Sequence, residues 1–235
     1  TGKPHSDHGA RTPERGQARP RFDPAVESQN RNHFGPRLCS RLGWRFRHRG
    51  SRVDDPAMKF TATAIEGVLM LETEPIADDR GDFARSYCAD EFGAAGLNFD
   101  PVQMNISRNK TRGTLRGMHY QGEPQPDPKI VRCTRGRIFD VAIDLRPASD
   151  TFCHWVSEEL SPENQTALMV PAGCAHGFIT LQDDSHVQYL MGAPYVPDLA
   201  RGVRWDDPAF GIKWPDAPTT ISPRDAEYPD FDGGR

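Results

Sequence analysis

Long apolar runs are missing from this chain. Nothing in its 235 residues approaches the roughly 18 consecutive apolar positions that a membrane-spanning helix needs, so no such helix and no membrane partner is expected. Against reading the N-terminal stretch as a targeting peptide, it has no apolar core and scatters acidic residues through itself. Cysteine is sparse. The five present, Cys39, Cys88, Cys133, Cys153 and Cys174, are odd in number and form no C-x-x-C pair. That usage argues against a disulfide framework and a zinc knuckle, and predicts a reducing, cytoplasmic setting. No segment repeats.

What is present divides at Met58. Residues 1–57 are crowded with Arg, Pro, Gly and His and hold 12 Lys/Arg against 6 Asp/Glu, net +6; the other 178 residues carry 17 against 27, net −10. So little apolar surface cannot offset chain entropy, and 1–57 is expected to be a disordered basic extension. A nucleic-acid arm or a targeting peptide would be its functional readings. The reading preferred is that Met58-Lys59-Phe60 is the natural start and the upstream residues are an over-extended reading frame. Residues 58–235 suit one domain with a proper core. Their acidic balance argues against nucleic acid as a partner.

From Met58 the pattern is short strands with turn residues between them. Residues 60–64 and 68–74 read as a hairpin about Glu66-Gly67, and Asp78-Asp79-Arg80-Gly81-Asp82-Phe83 as a turn running into a strand. A short helix is predicted over 90–96, with Asp90 as its cap and Gly96 as its stop. Strand resumes over 101–107. After a Pro-rich loop at 122–128, strands over 129–133 and 138–145 flank a turn at Arg135-Gly136-Arg137. In the second of these, Phe139, Val141, Ile143 and Leu145 share one face and Ile138, Asp140, Ala142 and Asp144 the other. Acids on one face point to a polar barrel interior. Residues 151–160, 166–170, 177–181 and 186–191 complete at least eight strands, at the spacing of a sandwich or barrel. The tail, with Trp205 and Trp214, is irregular and is expected to pack across the barrel.

The chemistry concentrates in Arg112-Gly113-Thr114-Leu115-Arg116-Gly117-Met118-His119-Tyr120-Gln121, a run too short and glycine-punctuated for a helix. In a regular strand Leu115, Gly117 and His119 share one face while Arg116, Met118 and Tyr120 share the other, unless a bulge at Gly117 re-aims them. A His beside an Arg reads as a base near an anion anchor. On this stretch alone, a half-exposed barrel strand with a solvated Arg and a hydrogen-bonded core His is the simpler reading.

Pro171-Ala172-Gly173-Cys174-Ala175-His176 has the P-x-G-x-x-H spacing of the second motif of cupin-type jelly rolls. A metal-binding cupin also needs H-x-H followed by Glu, because an ion needs three or four convergent ligands. Here Tyr120 and Gln121 follow His119, with only Glu123 near. Two histidines with an incomplete ligand set predict acid/base chemistry and no metal.

Seven further matches occur in the order and spacing of one family. They are Arg116-Gly117-Met118-His119-Tyr120-Gln121, Lys129-Ile130-Val131-Arg132, residues 141–146, Leu160-Ser161-Pro162-Glu163-Asn164, residues 171–178, residues 201–208 with Gly211-Ile212-Lys213-Trp214-Pro215, and Ile221-Ser222-Pro223-Arg224-Asp225. In these, the chain resembles the dTDP-4-dehydrorhamnose 3,5-epimerases over essentially all of 58–231. The resemblance implies an all-β double-stranded β-helix, or jelly roll, with short peripheral helices. It implies a dTDP-sugar substrate and a homodimer with strands exchanged across the interface.

It also implies cofactor-independent epimerisation: a ketone at C4 of the sugar acidifies the hydrogens at C3 and C5, and deprotonation to an enolate is followed by reprotonation from the other face. His119 matches the family's base and Asp225 the carboxylate that fixes its tautomer. Lys129 matches the cation beside the enolate oxygen, and Tyr189 the acid. His176 resembles a histidine that either binds substrate or supports the residues that do. Arg80 and Arg116 match contacts to diphosphate and sugar, Gln103 and Asn105 match polar substrate contacts, Tyr195 the aromatic stacked on thymine, and Arg224 a position where the family has a basic residue. Without the match each would read as an ordinary core or surface residue.

Three departures are visible. Arg85 stands where many members have a substrate-contacting Glu, Ala200 falls near another, and Leu190-Met191-Gly192-Ala193-Pro194 replaces a run that usually contains Tyr and Lys. They leave open a C3-only epimerase of a related sugar nucleotide. A metal-dependent cupin enzyme and a non-catalytic sugar-nucleotide binding module are the alternatives from other classes.

Overall fold

A computed structural model of the chain describes residues 57–233, together with the backbone of one further strand at 44–46. The expectations for residues 1–57 fall almost wholly outside the described residues. The elements in order are β1 (Trp44–Phe46), β2 (Met58–Ala62), β3 (Leu69–Thr73), β4 (Ile76–Asp78), β5 (Gly81–Phe83), α1 (Ala89–Ala94), β6 (Gln103–Asn109), β7 (Leu115–Gln121), β8 (Lys129–Arg135), β9 (Ile138–Asp144), β10 (Trp155–Leu160), β11 (Thr166–Val170), β12 (Cys174–Thr180), β13 (Ser185–Met191), β14 (Ala200–Gly202) and α2 (Pro223–Ala226), with one 3-10 turn at Pro197–Leu199.

Two antiparallel sheets face each other as a cupin-like jelly roll. One has seven strands in the order β1-β2-β3-β11-β8-β13-β6, the other five in the order β10-β9-β12-β7-β14, and β4 and β5 form a separate ribbon. Alternation along each strand decides what lies between the sheets. On β9, Ile138 and Ala142 point inward to meet Val131, Leu168 and Val187 from the opposite sheet. Val141 and Ile143 point outward and are covered by the tail through Phe210, Trp214 and Phe231. The outer face of the larger sheet is covered by α1, whose Phe92 packs edge-on against Phe60, centroids 5.1 Å apart. These faces are the ones that the β9 alternation predicts, and Asp140 is accordingly interior and fully buried.

Several local elements differ from expectation, among them β12, which starts at Cys174 rather than at 177 and so carries His176; three other differences have identifiable causes. Helix α1 starts one residue early, from Cys88, which has extended backbone and makes no side-chain cap; Asp90 lies in the first turn instead, where a carboxylate suits the exposed amides, and Gly96 stops the helix at φ +75°. Strand β10 begins only at Trp155, because Ser149 and Thr151 both turn their hydroxyls onto the buried Asp144 carboxylate, at 2.6 and 2.7 Å, and curl the loop. The tail is less irregular than expected: β14 joins the smaller sheet beside β7, and Thr220 runs along the start of the same strand, with its carbonyl accepting from Leu115 N at 2.8 Å.

Candidate active site

Positions three apart on a regular strand face opposite ways, yet Arg116 and His119 line the same cavity. The ladder between β7 and β12 explains this. From His176 to Phe178, β12 advances two residues, while β7 retreats three, from His119 to Arg116. The extra residue falls at Gly117-Met118. Gly117 has φ +137°, and a Cβ there would lie 2.5 Å from Gly177 Cα, so two glycines let the strands touch backbone to backbone. Met118 is thereby turned outward onto Val141 and Ile143. The bulge left open in the sequence is present, and it puts His119 and Arg116 on one wall.

His119 Nε2 sits 2.8 Å from Asp225 Oδ1, although 106 residues separate them in sequence. The tail delivers Asp225: Thr220 is bonded to β7, and Ser222 caps α2 by accepting from Asp225 N at 3.1 Å. Asp225 Oδ2 accepts from Gly117 N at 3.3 Å, inside the bulge. Burial pushes the Asp225 carboxyl up. The hydrogen bond and charge of His119, with Gly117 and Ser222, outweigh it and hold the group below its usual range. With Nε2 held by a carboxylate, the imidazole's Nδ1 is the nitrogen left for the cavity.

A second pair lies beside the first. His176 Nε2 is 2.8 Å from Asp140 Oδ1, both side chains are buried, and among the described residues Asp140 Oδ2 has no hydrogen-bond partner. Burial raises the Asp140 carboxyl, against the charge and hydrogen bond of His176 and the charge of Lys129.

The opposite wall comes from the other sheet. Tyr189 on β13, Lys129 on β8, and Asn105 and Ser107 on β6 face the histidines across a cavity of about 280 Å³. Burial, then the Asp140 charge, push the Tyr189 phenol well above its ordinary value, against Arg116 and a hydrogen bond with Ser107. The phenol is therefore protonated throughout the neutral range. Lys129 is almost fully buried and paired with Asp127 Oδ2 at 2.8 Å. Arg116 donates through Nε to Asn109 Oδ1 at 2.8 Å. Among the described residues no group of three His, Cys, Asp or Glu side chains converges as metal ligands would.

A second cavity, about 260 Å³, meets the first at His119 and is lined by Tyr195, Arg201 and Arg224. Gln121 holds its rim, accepting from Val196 N at 2.8 Å and donating to Pro194 O at 3.2 Å, so that Tyr195 between them stands 57% exposed.

Of the residues singled out in the sequence, His119, Asp225, Lys129, Tyr189, His176, Arg116 and Asn105 gather at the first cavity, and Tyr195 and Arg224 at the second. Gln103 shares a strand face with Asn105 and supports Tyr195, whose N donates to Gln103 Oε1 at 3.2 Å. Arg80 does not join them: it is paired with Asp78 at the tip of the β4–β5 ribbon, outside both cavities. Arg85 is an ion-pair partner of the buried Glu91, at 2.6 Å, and Ala200 lines the second cavity. Asp127 and Ser107 were not singled out, and no pattern in the sequence separates them from surface polar residues; Arg201 opens the matched run 201–208 but was given no role. Asp140 was legible as an inward acid on β9, without a role.

Comparisons with known proteins point to one family. The family model described as dTDP-4-dehydrorhamnose 3,5-epimerase matches residues 62–233. A dTDP-4-dehydrorhamnose 3,5-epimerase of Sinorhizobium fredii is 42% identical over 181 residues, covering 77% of this chain and 92% of that protein. Its Pseudomonas aeruginosa counterpart is 44% identical over 164 residues, covering 68% and 90%. Among solved structures, the Bacillus anthracis dTDP-4-dehydrorhamnose 3,5-epimerase with TDP and PPi bound has a TM-score of 0.72 at 36% identity, covering 74% of this chain and 100% of that one. A 3'-monoepimerase from Streptomyces bikiniensis in complex with dTDP-quinovose has a TM-score of 0.67 at 34% identity, covering 72% and 85%. By family model, sequence and fold alike, this chain belongs to the dTDP-4-dehydrorhamnose 3,5-epimerase family.

Proposed function

We propose that the chain epimerises a dTDP-4-keto-6-deoxyhexose at C3 and C5 by proton transfer within the first cavity, with the nucleotide in the second. The observation that carries this reading is the placement of His119 and Tyr189 on facing sheets. A base and an acid on opposite sides of a flat enolate are what inversion at carbon requires.

In the forward step His119 Nδ1 takes the proton next to the C4 ketone, the C–H electrons move into an enolate, and the negative charge settles on the carbonyl oxygen. Asp225 supports the imidazolium formed. Lys129, buried and cationic, stabilises the enolate oxygen, an electrostatic effect that grows where water is excluded. The Tyr189 hydroxyl then protonates the same carbon from the other face. The Arg116, Arg224 and Tyr195 side chains suit diphosphate and base, the arginines through forked donors and the tyrosine by stacking.

A homodimer is part of the proposal. The ribbon leaves Phe83 70% exposed, and the edge strand β6 leaves Met104 63% and Ile106 61% exposed, apolar side chains at two places of the kind that subunits cover. A partner seated there would also give Arg80, which lies outside both cavities of its own chain, a route to a substrate phosphate.

The test is incubation with dTDP-4-keto-6-deoxyglucose in heavy water, with deuterium located by NMR. Label at C3 and C5 is expected, and none in His119→Ala. Label at C3 alone would make the chain a C3-only epimerase, and no label from the intact protein would overturn the reading. Tyr189→Phe should still exchange label while losing net inversion.

A further inference from the structure

Gly202 is the residue opposite His119 across the β14–β7 ladder, and the place its side chain would take is filled. A Cβ on Gly202 would lie 2.2 Å from Tyr228 Cζ and 2.5 Å from the Tyr228 hydroxyl oxygen. From that seat the Tyr228 ring meets the His119 ring edge-on, centroids 6.4 Å apart and planes at 70°. Its hydroxyl accepts a hydrogen bond from Arg224 Nε at 3.0 Å, and the Arg224 guanidinium carbon lies 5.9 Å from the ring centroid. One phenol thus touches the base of the first cavity and the cation of the second.

We propose that Tyr228 is a positioning residue that couples the two cavities: its ring walls in the His119 imidazole, and its hydroxyl sets Arg224 for the anionic nucleotide end of the substrate. The proposal rests on reading the paired cavities as a sugar-nucleotide site. Both neighbours need such support. The His119 side chain is 42% exposed, and Asp225 is the one hydrogen-bond partner of its ring among the described residues. Arg224 is solvent-exposed, and a long exposed side chain loses rotamer freedom when it grips a ligand. Fixing it beforehand moves that loss out of the binding step. Tyr228 can do this because its own segment is anchored. Its carbonyl accepts from Arg204 Nη1 at 3.4 Å, and three residues on, Phe231 N donates to the buried Asp207 Oδ2 at 2.7 Å.

The experiment compares the intact protein with Tyr228→Phe, Gly202→Ala, Arg224→Ala and the Tyr228→Phe/Arg224→Ala double variant, measuring epimerisation kinetics and calorimetric affinity for dTDP. Tyr228→Phe keeps the ring against His119 and removes the hydroxyl's bond to a charged group. At this exposed site the loss should raise KM and the dTDP Kd about five- to tenfold, with kcat little changed. On the Arg224→Ala background the same change should cost no further affinity. Gly202→Ala, whose methyl claims the ring's seat, should lower kcat as well as affinity. Wild-type affinity for dTDP in Tyr228→Phe, or an equal loss with and without Arg224, would overturn the proposal. An intact protein that puts no deuterium into the sugar sinks the epimerase reading instead, and the dTDP titrations still judge Tyr228.

Discussion

His119 and His176 are register partners on β7 and β12, and each ring places Nε2 2.8 Å from a carboxylate. The two pairs are alike in geometry and unlike in environment. Asp225 receives an amide and a ring and is held below the usual carboxylate range, whereas Asp140 is fully enclosed, has one oxygen without a partner among the described residues, and is pushed upward. An anion that is stabilised, next to a half-exposed ring, suits a proton that comes and goes. A carboxylate that burial penalises, next to a buried ring, suits a fixed arrangement.

Asp225→Asn should therefore act on the chemical step. The amide keeps the shape and removes the charge that supports the imidazolium, so kcat should fall about 100-fold or more, within the range of general-base effects, while KM changes little. Because the folded group lies below its ordinary value, the stabilisation it gives is present above that value and is lost as pH falls through the lower folded one. Steady-state kinetics of the variant at neutral pH check the first statement, and urea unfolding of the intact protein across the acid range checks the second.

Asp140→Asn should be visible on Tyr189. After burial, the Asp140 charge is the next cause that keeps the phenol protonated. Removing that charge should bring the phenol down toward its ordinary value. The phenolate absorbance of the variant, taken against the same variant carrying Tyr189→Phe, reads the shift directly. An unmoved titration would mean that Asp140 has no electrostatic hold on the acid.

Asp144 tests the frame behind the site. Burial opposes its charge, but Arg146, through side chain and amide, and the Ser149 and Thr151 hydroxyls overcome it and hold the carboxyl far below its ordinary value. Gly173 leaves the room this needs, since a Cβ there would lie 2.6 Å from Arg146 Cγ. Asp144→Ala leaves a partly exposed guanidinium, which retains its bond to the Glu66 carbonyl, and two hydroxyls without their carboxylate acceptor, and should cost about 1–3 kcal/mol at neutral pH. The contribution is present above the unfolded value of about 3.9 and disappears as pH falls below it. Urea unfolding at pH 7 and pH 3 should show the gap between intact protein and variant narrowing at the lower pH.

Much of this molecule was legible in its residues. The period-two pattern gave the strands, and on β9 it gave the faces, because side chains alternate along a strand and the two sides of β9 pack against different partners. The motif order placed His119, Tyr189, Lys129 and Asp225, and the fold brings them together. What could not be read depends on contacts between distant segments. No local pattern says that β7 slips one residue against β12, that Thr220 lies along β7 to carry Asp225 in, or that the Tyr228 ring occupies the place of a Gly202 side chain. Arg80 illustrates the limit from the other side: its motif was recognisable, but its position on an exposed ribbon is a property of the folded chain.

The bulge itself yields the sharpest prediction. Gly117 combines a positive φ of +137° with a neighbour, Gly177 Cα, that would stand 2.5 Å from any Cβ. Neither problem can be relieved by a flexible side chain, because the obstacle is backbone on both strands. Gly117→Ala must open the β7–β12 ladder or straighten β7. Straightening would return Arg116 and His119 to opposite faces and draw the Gly117 amide away from Asp225 Oδ2. The variant should lose about 2 kcal/mol or more of stability, and its remaining folded fraction should lose activity well beyond that. Surface substitutions that cost the same stability, made far from the cavity, provide the control. If Gly117→Ala is destabilised yet keeps its turnover per folded molecule, the bulge serves packing alone and the aim of His119 is set elsewhere.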